Sequence, residues 1–160
     1  MAVSTKYAAV HRMVSAQSQI EACEDGEAFQ FGHINNTSVA SQFLDYLVTV
    51  EMPISANVVT GDTVNIYVIE SQDDVTYTDK FSITNSKIDQ ADKLRDAKLI
   101  SVVDAFHTSA SPVTVVTTFH IGSIYPILPP YMSFVFENNT SGSIKAGASA
   151  NHMGITVSAA

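Results

Sequence analysis

Apolar side chains in this chain recur at every second residue, a spacing that lines one face of a strand and scatters around a helix. Within 44–52 the even positions Leu44, Tyr46, Val48, Val50 and Met52 are apolar, while the odd ones include Asp45, Thr49 and Glu51. The same parity returns over 63–70 in Val64, Ile66 and Val68. A β-branched run over 113–121 alternates through Val113, Val115, Phe119 and Ile121, and Met132, Phe134 and Phe136 make a further single-sided row. Residues 98–106 read as a strand with weaker alternation. Turn chemistry separates these runs: Pro53 ends the first, Val59, Thr60, Gly61 and Asp62 supply a turn, and 71–74 supply another. A polar turn from Asn138 to Ser143 then precedes a closing strand around 153–157. The chain is therefore expected to finish in two edge-type strands.

Helix has little support. Tyr7, Val10 and Val14 fall roughly on one face of 6–19, but serines and glutamines dilute the pattern, so residues 1–25 are expected to form an arm, helical or extended. Residues 88–97 are expected to form a turn or two of helix or a charged loop. Short strands with closely spaced turns and no alternating helices predict an all-β protein. The expected architecture is a single β-sandwich or jelly roll over 26–160 behind the N-terminal arm 1–25, with less than about a fifth helix. A chain of 160 residues suits one such domain.

Charge narrows the partners. Charged residues make up 15% of the chain, against roughly 25% in ordinary globular proteins. The net charge is −8, and no base occurs between Arg12 and Lys80. Direct nucleic-acid binding needs a basic face, so none is expected. No run reaches the roughly 18 apolar residues of a membrane span, and no signal peptide is visible at the N-terminus. From Ala105 to the end only Glu137 and Lys145 are charged, the pattern of a surface covered by other chains. Cys23 is the sole cysteine, which excludes an internal disulfide and a multi-cysteine zinc site.

No constellation carries chemistry. The serines lie outside any Gly-x-Ser-x-Gly turn, and the closest approach, 140–143, is itself a polar turn. His11, His33, His107, His120 and His152 are scattered, with no pair at the i, i+4 spacing of a zinc helix. His120, opposite in parity to Phe119, reads as a strand residue facing solvent or an interface. Asp73, Asp74 and Asp79 resemble a fragment of a calcium loop without its full pattern, and a solvated turn accounts for them better. Glu24, Asp25 and Glu27 read as an exposed acidic approach to the first strand. Catalytic, cofactor-binding and metal-ligating residues are therefore assigned to none of these positions, and the chain is expected not to be an enzyme. Sugar-binding sandwiches stack aromatic rings on the sugar, and this chain has no tryptophan. Tyr7, Tyr46, Tyr67, Tyr77, Tyr125 and Tyr131 keep a lectin-like module open as an alternative. The blander expectation puts Tyr46 in the core and Tyr67 on a half-buried face.

Several of these motifs, in order, resemble a family. They are Leu44-Asp-Tyr-Leu-Val-Thr-Val50, Gly61-Asp-Thr-Val-Asn-Ile-Tyr-Val68 with the acidic turn after it, Thr76-Tyr-Thr-Asp79 and Ala97-Lys-Leu-Ile-Ser-Val-Val103. Leu128-Pro-Pro-Tyr-Met-Ser-Phe-Val-Phe-Glu-Asn-Asn-Thr-Ser-Gly142 and Asn151-His-Met-Gly-Ile155 complete the set. Across about 40–157 the chain is similar to small virion structural proteins of tailed bacteriophages. Pro130-Tyr131 and the short 71–74 turn depart from the large aromatic and longer Gly-rich turn common in that family. The resemblance implies a capsid decoration (cement) subunit on the outer surface of the head, bound to the major capsid protein. A tail or fibre-base component is its second implication. Low charge and high β content favour a homo-oligomer, a trimer above all, with the arm docking onto a neighbour.

Overall fold

The alternating runs become strands, and their pairing is nested. The computed structural model describes residues 3–13, 23–37, 42–55, 58–78, 87–88, 94, 96–105, 113–145 and 149–159. Ten strands lie among them: β1 (Val3–Tyr7), β2 (His11–Met13), β3 (Glu27–Asn35), β4 (Asp45–Ile54), β5 (Thr63–Ser71), β6 (Lys87–Ile88), β7 (Lys98–Asp104), β8 (Val113–His120), β9 (Tyr131–Asn139) and β10 (Ser149–Ala159). A 3-10 turn, Ile121–Ser123, follows β8. Sheet A has the order β1-β10-β4-β8, with β2 also on β10, and sheet B has the order β6-β3-β9-β5-β7.

Counting β1 and β2 as one broken strand and setting β6 aside, the first strand pairs with the last, the second with the second-last, and so inward to β5 with β7. A long hairpin rolled up on itself gives this arrangement, the jelly-roll form of a two-sheet sandwich. Between the sheets, Val48, Val50, Met52 and Ile54 of β4 face Val64, Ile66 and Val68 of β5 and Met132, Phe134 and Phe136 of β9, all buried in one cluster.

Three expectations need correction, the last of them in β9 below. The helical alternative for 6–19 fails over its described part, because β10 offers an open strand edge there. Tyr7 sits opposite Ile155 and His11 opposite His152, so four residues of the arm span three of β10 and bulge the strand between its two pairing segments. Residues 14–22 lie outside the described ones. The second correction concerns the chain's end. β9 is not an edge strand but is flanked by β3 and β5, and β10 is flanked by β1, β2 and β4 in the opposite sheet. The turn from Asn138 therefore switches sheets rather than closing a hairpin.

Sheet B is also covered on its outer side. Ala28, Ile69, Tyr77 and Val135 form a second buried cluster, packed by Tyr67, Leu94, Ala97 and Tyr131. Of the described residues between β5 and β7, Tyr77, Leu94 and Ala97 pack on this side of the sheet. Every residue from Met132 to Asn138 is consequently buried. The row expected to be single-sided is buried on both faces. Much of the missing charge in this part of the chain thus reflects intramolecular burial. Glu137 is itself buried, and its Oε2 accepts from Asn65 Nδ2 and the Tyr67 hydroxyl, each at 2.8 Å. Burial and Glu137 together push the Tyr67 hydroxyl up to about 12.

The β4–β5 turn is a corner held by Asp62. Its Oδ2 accepts the Val59 N–H (2.8 Å) and the Ser141 N–H (3.0 Å), which ties this corner to the turn after β9. Burial would raise the Asp62 carboxyl, but those donors and the Ser141 hydroxyl outweigh it and hold the group below its usual range.

Candidate interaction surface

With part of the outer side of sheet B covered by its own chain, the outer face of sheet A is the broad surface left over among the described residues. Strand parity decides its residues: the odd positions of β4 point outward because the even ones fill the core. Register then builds rows across the sheet. Tyr7, Ile155 and Asp45 make one row, and Met153, Leu47 and His120 the next. Asn151, Thr49 and Thr118 follow, then Glu51 and Val116. Thr49 and Thr118 are joined by a hydroxyl hydrogen bond of 3.0 Å. Tyr7 is 63% exposed and Val116 58%. Among the described residues no second layer packs on this face. At strand and residue spacings its area is on the order of 600 Å², short of the roughly 800 Å² that each partner gives to a standard interface.

A groove at one end extends it. Phe43, Leu44, Pro126, Ile127, Leu128 and Pro130 line a concavity of about 480 Å³ between the segments preceding β4 and β9. Leu44 is 63% exposed and Ile127 87%. The Leu44 N–H donates to the Ile155 carbonyl (2.9 Å), so the groove runs directly into the face of sheet A. Pro126, Pro129 and Pro130 restrict the backbone around Ile127, which lowers the ordering cost of using it as a contact.

The titratable groups form pairs rather than a reaction centre. His120 Nδ1 lies 2.7 Å from Asp45 Oδ2, and Asp45 Oδ1 accepts from the N–H groups of Gly122 (2.6 Å) and Tyr46 (2.7 Å). His33 Nε2 lies 2.7 Å from Asp74 Oδ1, which also accepts the Tyr77 hydroxyl at 2.7 Å, and the His33 ring stacks on Tyr131. Among the described residues no serine, threonine or cysteine side chain bonds either imidazole. Nor does any group of three metal-ligating side chains occur among them.

No family model and no curated protein matches the chain. One solved structure that aligns with it is the VP2 subviral particle of infectious bursal disease virus, with 13% identity over 98% of this chain and 41% of VP2. The TM-score is 0.21. The chain spans less than half of that protein, and a superposition at this level supports no statement about function.

The candidate residues are scattered over the fold. His120 is an exposed residue of β8, as its parity indicates. His152 lies on the inner side of β10, edge-on to Tyr46 with ring centroids 5.7 Å apart. His11 belongs to β2, and His107 and Asp79 lie outside the described residues. Glu24 and Asp25 are exposed ahead of β3, where the Glu27 carboxylate accepts the Glu24 N–H at 2.7 Å. Tyr46, Tyr77 and Tyr125 are buried, Tyr67 and Tyr131 half-buried, and Tyr7 exposed. The six tyrosines therefore share no exposed platform of the kind a sugar face needs.

Leu44 corrects an expectation. Its parity assigned it to the core, but it precedes the first residue of β4 and points into the groove. Ile127 had no periodic signal at all; the prolines around it were the available clue.

Asp73 behaves as a turn residue and yields a direct pH prediction. Its carboxylate accepts the N–H groups of Thr76 (2.8 Å) and Val75 (2.9 Å) and the Ser71 hydroxyl (2.9 Å). These bonds lower its carboxyl from 3.8 to about 2. The folded value is depressed, so the turn's contribution is fully present above the unfolded value and is lost as pH falls through the folded one. The amide resonances of Val75 and Thr76 are expected to titrate near pH 2, and Asp73→Asn is expected to abolish that titration. A midpoint near 4 would show that the bonds do not hold in solution.

Proposed function

We propose that this chain is a structural subunit of a bacteriophage particle, a decoration protein seated on the outer surface of the head and bound to the major capsid protein. One observation carries the proposal: a jelly roll whose B sheet is covered on part of its outer side by its own chain while, among the described residues, its A sheet presents an uncovered face continuous with a largely apolar groove. The order of motifs shared with small phage virion proteins supports the same reading. In it the protein acts by binding and not by catalysis, as a homo-oligomer, in the first instance a trimer. The two His–Asp pairs orient side chains at the surface and supply no nucleophile.

The test is reconstitution on heads prepared without the protein. Added protein is expected to co-sediment with heads and to spread over the whole shell in micrographs. Ile127→Glu and Leu44→Glu alter two highly exposed side chains, so stability should change by no more than about 0.5 kcal/mol. Each is expected to weaken head binding at least tenfold, about 1.4 kcal/mol. Binding confined to the tail would move the assignment to a tail or fibre-base component. Absence from particles altogether would end it.

A further inference from the structure

We propose that β8 is a self-pairing edge, at which two copies of this chain join their A sheets antiparallel about a twofold axis through Val116. The proposal needs no particle and stands apart from the virion reading. Exposed sheet edges invite strand addition, and proteins ordinarily blunt them with charge, proline, bulges or brevity. The other edges of this sandwich are blunted. β6 has two residues. β7 carries Lys98 and Asp104 at its ends and a register shift against β5 between Ile66 and Tyr67. The β1–β2 edge contains Lys6 and Arg12 and is broken between Tyr7 and His11.

β8 has none of these features. Among the described residues it closes sheet A, and it pairs with β4 over eight consecutive residues without a register shift and contains no charged residue or proline from Val113 to Phe119. Valine and threonine, both favoured in strands, make up six of those seven residues. Self-pairing of a neutral strand opposes no like charges.

Parity puts the axis on a residue and not between two. Outward residues must meet outward residues, or the pairing would turn a core face to solvent. Val116 opposite its own copy meets this condition and sets Thr114 against Thr118 and Val115 against Thr117. Exposure selects Val116 among these axes, since it is the most exposed large apolar residue of the strand whose side chain is described, at 58%. Joining the two A sheets also doubles their bare outer face to on the order of 1,200 Å² of continuous surface.

Cysteine pairs test the register in solution, with buried Cys23 as the only native thiol. Under mild oxidation Val116→Cys is expected to form a covalent dimer. An equal mixture of Thr114→Cys and Thr118→Cys proteins is expected to cross-link, while neither does so alone. Val102→Cys, 57% exposed on β7, is expected to stay uncoupled. By light scattering, Val116→Lys is expected to halve the mass of the assembly with its melting temperature retained. Cross-linking of Thr114→Cys or Thr118→Cys alone, equal coupling through Val102→Cys, or an unchanged mass for Val116→Lys would each overturn the proposal.

Discussion

Asn138→Ala is expected to lower the stability of the folded chain by about 3 kcal/mol, more than a hundredfold in the folded-to-unfolded ratio. The side chain is fully buried, and its amide is used on both sides. Nδ2 donates to the carbonyls of Cys23 (2.8 Å) and Gly142 (2.9 Å), while Oδ1 accepts the Thr140 hydroxyl (2.8 Å) and N–H (3.2 Å). Truncation takes one donor from the Cys23 carbonyl, which keeps the Ile144 N–H at 3.0 Å, and removes the acceptor of the Thr140 hydroxyl and N–H. Unsatisfied buried groups cost about 1–3 kcal/mol each, and this network loses several bonds at once. Asn138→Asp should be no better, since it aims an oxygen at two carbonyl oxygens. Asn139→Ala, at a half-exposed neighbour, should stay within about 0.5 kcal/mol. Urea unfolding of the three variants decides the matter. A loss below about 1 kcal/mol for Asn138→Ala would mean that water enters this end of the sandwich.

The second large effect is expected from Gly154→Ala. A Cβ at this position would lie 2.4 Å from two ring carbons of Phe43, far inside contact distance. The ring has little freedom to retreat. Asn36 Oδ1 accepts the Phe43 N–H at 2.9 Å and the Tyr46 hydroxyl at 3.0 Å, and the Phe43 and Tyr46 rings pack edge-on at 5.4 Å. Overpacking of this kind costs about 1–3 kcal/mol, and a fixed backbone on both sides argues for the upper part of that range. Combining Gly154→Ala with Phe43→Ala should cost less than the sum of the two changes, because the clash disappears with the ring. Strict additivity would show that ring and glycine are not in contact. Phe43 also lines the groove, so if the chain binds heads as proposed, Gly154→Ala is expected to weaken that binding as well as folding.

Both sensitive positions show where sequence reading stopped. Asn138 was legible as a turn residue, since asparagine before Thr-Ser-Gly favours turns. Its role in joining Cys23 to Gly142 was not, because those partners meet only after the strands pair. Gly154 sits inside a strand-like run, and nothing local marks it as the floor beneath Phe43. The surface residues divide the same way. Thr49 and His120 were placed outward by parity, whereas Leu44 was placed inward because its run extends one residue before the strand begins.

The period-two rows and the turn residues between them determined that this chain is all-β, which side chains of β4 and β5 face inward, and that turns fall at Gly61 and Asp73. Those are local properties, set by pleat geometry and turn chemistry within a few residues. Only the tertiary structure decided which sheet each strand joined. It seated β9 between β3 and β5, packed Tyr77, Leu94 and Ala97 on the outer side of sheet B and, among the described residues, left the face of sheet A uncovered. Pairing brings residue 27 to residue 138 and residue 3 to residue 159. Contacts across such separations depend on backbone edges that are chemically alike in every strand. They are settled by how much apolar surface the whole chain can bury at once.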